Sequence, residues 1–184
     1  MYSTASFATA RNVPQGEVRE TVTAWRAQVA EDTTSFLQRC RLVYEFFPDL
    51  NGIKFRDFSA AVAATRASVA TDKALVRRIY ASFLNEDAPS NALKPSMLDA
   101  QWAWFRWVQY QLLAALRMFH RYQGRIPDSP SPNVLLKAEH SMHDVEYVIL
   151  ASLAGGIATN DAEVEEDLRL VRPDDLVIRP TGSK

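Results

Sequence analysis

The sequence predicts a mainly helical α/β domain with a small, mostly parallel sheet near its C-terminus. Over most of residues 15–122, apolar side chains recur at steps of three and four, which is the period of one helix face. Within about the last 40 residues, short strand patterns alternate with helical ones, as is typical of α/β structure. The chain has six glycines and neither a GxGxxG nor a GxxxxGK[ST] motif, so nothing supports a Rossmann or P-loop site.

Composition favours one domain. The chain has 184 residues, of which 47% are hydrophobic and 23% charged, as in ordinary soluble globular domains. The expected segments are an arm or short strand at 1–13, a domain at 14–180 with a helical part at 14–124 and a βα part at 133–180, and a tail at 181–184.

Charge and cysteine content exclude several classes of protein. Twenty-one basic and 22 acidic residues leave a net charge of −1, which excludes a generally basic nucleic-acid coat but allows a local basic patch. The single Cys40 excludes an internal disulfide and a paired-cysteine metal site, and it suits a reducing compartment. There is no apolar run of about 18 residues and no secretory signal, so we expect a cytoplasmic protein without a membrane partner.

Four helices are predicted in the first half of the chain. Asp32 or Thr33 is expected to cap the second helix and Pro48 to end it, while Asp72 begins the fourth. The predicted helices are 15–30, 32–47, 55–66 and 72–83, followed by a loop at 85–94. The side chains expected on their inward faces are Val18, Val22, Trp25, Val29, Phe36, Leu37, Cys40, Val43, Tyr44, Phe47, Phe55, Phe58, Val62, Leu75, Ile79 and Phe83.

The longest predicted helix begins at Pro95 and ends at Gly124. It has two apolar faces, so we expect it to be buried on both sides as the central helix of the fold. Gln109 is the one polar residue on the first face. The two faces comprise Leu98, Trp102, Phe105, Gln109, Leu112, Leu116 and Phe119, and Trp104, Val108, Ala115, Met118 and Tyr122.

The C-terminal part changes pattern after a linker with three prolines at 123–133. A helix is predicted from Asp144 to Leu153, and Gly155-Gly156 ends it. The elements expected after it are a strand at 156–159, a short acidic helix at 161–167, a strand at 168–172 and an extended piece at 176–178.

Two aspartates of this part are predicted to meet. Asp144 would begin the helix, and Asp161 would follow the strand that comes after it. The end of that strand returns to the N-terminus of the helix, which brings the two carboxylates together. Ligands of open α/β sheets bind at the carboxyl ends of strands. Two close carboxylates repel unless a cation lies between them, and oxygen ligands suit Mg²⁺ or Mn²⁺. Such an ion activates water for phosphodiester hydrolysis.

The stretch from about residue 143 to 180 resembles the C-terminal part of the PIN-domain family of metal-dependent ribonucleases. The matching features are Asp144, Tyr147 and Ala151 in one helix, the sequence Thr-Asn-Asp at 159–161, and LRLVRPDDL at 168–176 as the last strand and its turn. The resemblance implies an RNA phosphodiesterase using Mg²⁺ or Mn²⁺.

The resemblance also implies roles for single residues. Asp144 and Asp161 would be catalytic metal ligands, and Thr159 and Asn160 would orient them. The further acidic residue of the family lies on an earlier helix, where Glu45 is the candidate. The first strand of the family, which ends in Asp, is not found, because residues 1–12 contain no acid. We therefore expect a truncated or inactive relative with an open sheet edge. Residues 2–8, a second copy of the chain or a partner protein would cover that edge.

Other interpretations of these residues stay open at this point. Asp144 and Asp161 would also serve as simple helix caps. Arg106, Arg117 and Arg121 lie near one side of the long helix and form a candidate basic stripe for RNA phosphates, with a solvated face as the alternative. The alternative function is a non-catalytic helical protein-interaction module.

Overall fold

The computed structural model describes residues 15–84 and 92–181. These residues form seven α-helices, two 3₁₀ turns and two strands, and the strands pair in parallel near the C-terminus. The predicted fold class is therefore confirmed. The predicted arm at 1–13 and residues 182–184 of the tail lie outside the described residues.

The first helix, α1, runs unbroken over Gln15–Arg41, so the predicted second helix start at Asp32 or Thr33 is wrong. The Thr33 side chain is buried, and its Oγ1 donates to the Val29 carbonyl oxygen at 2.7 Å. A hydroxyl that bonds one turn back belongs inside a helix. The first half of α1 exposes Trp25, which was expected to face inward.

Two short elements, α2 (Val43–Phe46) and a 3₁₀ turn (Pro48–Leu50), connect α1 to the next helices. These helices are α3 (Phe55–Thr71) and α4 (Lys73–Phe83). Asp72 caps α4 as predicted, because its Oδ1 accepts from the Ala74 and Leu75 amides at 2.8 and 3.0 Å. Phe58 and Ile79 are buried as expected, whereas Phe55 is exposed.

The central helix is α5 (Ala103–Arg121), which follows a 3₁₀ turn at Pro95–Met97. It contacts α1, α2, α3, α4 and α6. The prediction of a helix buried on both sides is thus confirmed, but its start at Pro95 is wrong. Leu98 adopts extended backbone there, and its carbonyl oxygen accepts from Arg77 Nε at 2.6 Å. Trp102 and Trp104 are exposed, contrary to the predicted faces.

Helix α6 covers Pro132–Ala154, so it begins twelve residues before its predicted start. Pro132 occupies the first helical position, where the missing amide hydrogen is no loss. Gly155 ends the helix as expected, with a positive φ of 82°. The outer face of α6 exposes Tyr147, Leu150 and Leu153.

The last elements form a strand–helix–strand unit. Strand β1 (Gly156–Ala158) and strand β2 (Leu176–Ile178) are connected by α7 (Ala162–Val171), and Gly156 pairs with Leu176. The predicted strand at 168–172 is wrong, because residues up to 171 continue α7. Leu168 is buried four residues after buried Val164, which is helical spacing. Within the described ranges, no helix has the length and apolar character that crossing a membrane requires.

Candidate functional site

Asp144 lies in the middle of α6. The helix begins at Pro132, so Asp144 is neither its opening residue nor its cap, and both interpretations of its position were wrong. The side chain is half-buried. Burial raises the pKa of the Asp144 carboxyl, the charge of Asp161 raises it further, and Arg117 opposes the shift. The charge of Asp161 thus acts on the Asp144 carboxyl.

Asp161 is the N-cap of α7. Its Oδ1 accepts from the amides of Glu163 and Val164 at 2.8 and 3.1 Å, so the cap interpretation of this aspartate is confirmed. Thr159 Oγ1 accepts from the Asp161 amide at 3.0 Å, which orders the same turn. Asn160 Nδ2 donates to the Pro180 carbonyl oxygen at 3.1 Å.

The predicted third acid does not join this pair. Glu45 is exposed on α2. Among the described residues, no group of three His, Cys, Asp or Glu side chains is placed to hold a metal ion. The charged groups that act on the Asp144 carboxyl include a cation, Arg117, which lowers its pKa.

Two of the three arginines of the predicted basic stripe are buried, so no exposed stripe exists. Arg106 Nη1 donates to Gln109 Oε1 at 2.8 Å. The Gln109 amide then donates to the carbonyl oxygens of Val69 and Ala70, both at 3.0 Å. These bonds satisfy the one polar side chain on the first face of α5.

Arg117 and Arg121 contact helix α7 rather than solvent alone. Arg117 Nη2 donates to Asp167 Oδ2 at 2.6 Å and to the Glu163 carbonyl oxygen at 2.8 Å. Arg121 Nη2 pairs with Glu163 Oε1 at 2.8 Å, and Arg66 on α3 pairs with Asp167 Oδ1, also at 2.8 Å. We call these five residues the α7 ion network. It fixes α7 to α3 and α5 and pairs two of the three arginines of the predicted stripe, Arg117 and Arg121, with carboxylates.

A cavity of about 470 Å³ lies between α1–α2, α4 and α5. Its size is within the usual range of small-molecule sites, about 300–1,000 Å³. Leu84 and Ala92 border it, and residues 85–91 between them lie outside the described part. The lining residues are Arg39, Val43, Phe46, Tyr80, Phe83, Leu84, Ala92, Leu93, Trp104, Trp107, Val108, Gln111, Leu112 and Ala115.

The walls of this cavity are apolar and aromatic with few polar groups. The Phe46 and Phe83 rings contact each other at a tilt of 58°, with 5.3 Å between centroids, and Trp104 meets Trp107 edge-on at 5.3 Å. The Tyr80 hydroxyl is satisfied by donating to the Leu93 carbonyl oxygen at 3.0 Å.

Two polar atoms at the cavity are not satisfied. Arg39 Nε and Gln111 Oε1 are buried and have no hydrogen-bond partner within the described part of the chain. Buried polar groups in native proteins are nearly always hydrogen-bonded, so each such atom requires an explanation. The sequence signal for this site is the spacing of Arg39, Val43 and Phe46, which places a cation on an apolar helical face.

Comparison of the chain with protein-family models, with curated proteins and with solved structures gives no match in any of the three.

Proposed function

We propose that this chain is a helical ligand-binding domain that takes a small, mainly apolar molecule into the cavity between α1–α2, α4 and α5. The observation that carries the proposal is the cavity itself, with its aromatic walls and few polar atoms. A cavity of about 470 Å³ is large enough to hold a small molecule, and its apolar, aromatic lining suits one that is mainly apolar.

The direct test uses a neutral apolar dye, Nile red, whose fluorescence rises and shifts to the blue in an apolar site. We expect saturable binding to the wild type and a loss of at least about tenfold in Ala115→Phe, because Ala115 lines the cavity and a phenyl ring there occupies it. Ala63→Phe is the matched control, since Ala63 is exposed on α3 and does not line the cavity.

Far-UV circular dichroism of both variants shows whether each is folded. Dye binding that Ala115→Phe leaves unchanged contradicts the proposal, as does the absence of saturable binding in the wild type. If Ala115→Phe does not fold, Gln111→Trp fills the cavity from a half-buried position one turn away.

A metal-dependent nuclease is the second candidate, favoured by the charge of Asp161, which raises the pKa of the half-buried Asp144 carboxyl. Calorimetry with Mn²⁺ tests it without requiring a substrate. The candidate predicts binding to the wild type and to Asp174→Asn, a control at an exposed turn, and loss of binding in Asp144→Asn. Absence of Mn²⁺ binding in the wild type contradicts it. The protein-interaction module also stays a prediction, and the exposed Tyr147 and Leu150 of α6 favour it.

A further inference from the structure

We infer that the ligand of the cavity is an amphipathic carboxylic acid whose carboxylate pairs with Arg39 while its apolar body lies along the aromatic walls. This inference rests on the proposed ligand-binding function and specifies the chemical class of the ligand. Arg39 is the one charged residue among those described that line the cavity. A bound anion would give its guanidinium the partner that this part of the chain does not supply.

The environment of Arg39 carries the argument. Within the described residues its Nε is buried without a hydrogen-bond partner, and the guanidinium has no ion pair. The nearby carboxylate of Asp32, on the same helix, instead accepts from Gln28 Nε2 at 3.0 Å. Burial lowers the pKa of Arg39, while the electrostatic influence of Cys40 and Asp32 opposes the shift. A partly desolvated cation of this kind gains most from a carboxylate that enters the same apolar site.

The orientation of Arg39 also suits an anion. Its guanidinium carbon lies 6.0 Å from the centroid of the Trp107 ring, over the ring. Stacking uses the face of a guanidinium and leaves its N–H edge available, and that edge matches a carboxylate in two-point geometry. Gln111 adds a second polar group: its Nε2 is the atom that donates to a carboxylate, because its buried Oε1 is itself an acceptor.

The rest of the described lining offers no partner for a second charge on the ligand. Tyr80 is already bonded to Leu93, and apart from Arg39 and Gln111 the other described lining side chains are apolar or aromatic. A buried charge without a partner is strongly unfavourable. The complementary molecule therefore has one anionic end and an apolar body, which distinguishes it from nucleotides and sugars.

The test compares decanoate with decanol as competitors of Nile red, at concentrations below micelle formation. The two molecules share a chain and differ in the head. We expect the wild type to prefer decanoate by about 10-fold or more, because a charge-assisted hydrogen bond is worth about 1.5–3 kcal/mol. Arg39→Met is expected to abolish the preference while still binding Nile red and decanol. Arg39→Lys, which keeps the charge, is the matched control and retains a preference.

Each outcome has one meaning. Equal affinity of the wild type for decanoate and decanol, or a preference that Arg39→Met leaves unchanged, overturns the carboxylate inference and leaves the binding function standing. Failure of both competitors to displace Nile red, together with dye binding that Ala115→Phe does not weaken, overturns both proposals. If Arg39→Met does not fold, Arg39→Gln replaces it, because glutamine also lacks the charge.

Discussion

Replacing Arg117 by methionine removes one of two cations from a buried carboxylate. The Arg117 side chain is 9% exposed and the Asp167 side chain 6%, and the two are joined at 2.6 Å. Breaking a buried ion pair from one side costs about 3–5 kcal/mol, because the remaining charge has lost its partner. Arg66 still pairs with Asp167 at 2.8 Å, so we expect the lower end, about 3 kcal/mol. For a chain of this size that corresponds to a melting temperature lower by roughly 6–12 °C.

The pH dependence of this loss identifies its cause. Burial raises the pKa of Asp167, while Arg117 and Arg66 oppose the shift. When the pKa of a carboxyl is higher in the folded state than in the unfolded state, the fold loses stability as pH rises above the pKa of the unfolded state. Removing Arg117 raises the pKa of Asp167 in the folded state further and so increases this loss. The stability difference between Arg117→Met and the wild type should therefore be largest near pH 7 and shrink as pH falls towards 4.

Urea denaturation followed by circular dichroism, repeated from pH 4 to 8, measures both effects. Arg56→Met is the control, because the Arg56 side chain is 78% exposed and pairs only with Asp57, so its loss should stay within about 1 kcal/mol. A loss for Arg117→Met that equals the control, or one that does not change with pH, would refute the reasoning.

Three further changes test the strand–helix–strand unit and its surroundings. Asp161→Ala should lower the free energy of unfolding by about 1 kcal/mol in urea titrations, whereas Asp161→Asn retains most of the cap; equal losses would count against capping. Asp144→Asn should stabilise the fold at pH 7, because the raised pKa of Asp144 means that its charged form is unfavourable in the folded state. The gain in stability should vanish below about pH 4, and a lower melting temperature of the variant at pH 7 would contradict this reasoning. Gly156→Ala should weaken strand pairing by about 1–3 kcal/mol, since a Cβ there would lie 2.7 Å from the Leu176 carbonyl oxygen; unchanged amide exchange at Ile157 would exclude the clash.

Helix positions were predictable where local chemistry differs between the interior and the end of a helix. Asp161 follows a strand, which cannot continue a helix, and it is a cap. Asp72, Asp32 and Asp144 all lie in runs without glycine or proline, yet Asp72 separates α3 from α4 as a cap while the helices continue through the other two. The carboxylate alone does not distinguish the two settings.

The roles of the arginines required the tertiary structure. Arg117 and Arg121 look like a solvated or phosphate-binding face, because their partner Glu163 lies more than 40 residues further along the chain. The polar Gln109 was correctly placed on the apolar face of α5, yet its partners Val69 and Ala70 belong to another helix. The spacing of residues predicts which face of a helix a side chain lies on, but it does not predict which element packs against that face.

The cavity could not be predicted from periodicity, because an apolar face predicts burial and carries no information on whether the neighbouring helix fills the space. Val108 and Ala115 were expected on an apolar face, and both line the cavity. Arg39 lay within a predicted apolar stretch without being recognised as part of a site.

The single cysteine is a chemical probe of how often helix α1 separates from the core. Cys40 is completely buried next to Arg39, and burial raises the pKa of its thiol to about 12. A disulfide reagent reacts only with a thiolate that is in contact with solvent. Modification of Cys40 therefore requires that the helix first separate from the core. The rate of that reaction under native conditions therefore measures how often this part of the core opens, with no labelled variant needed.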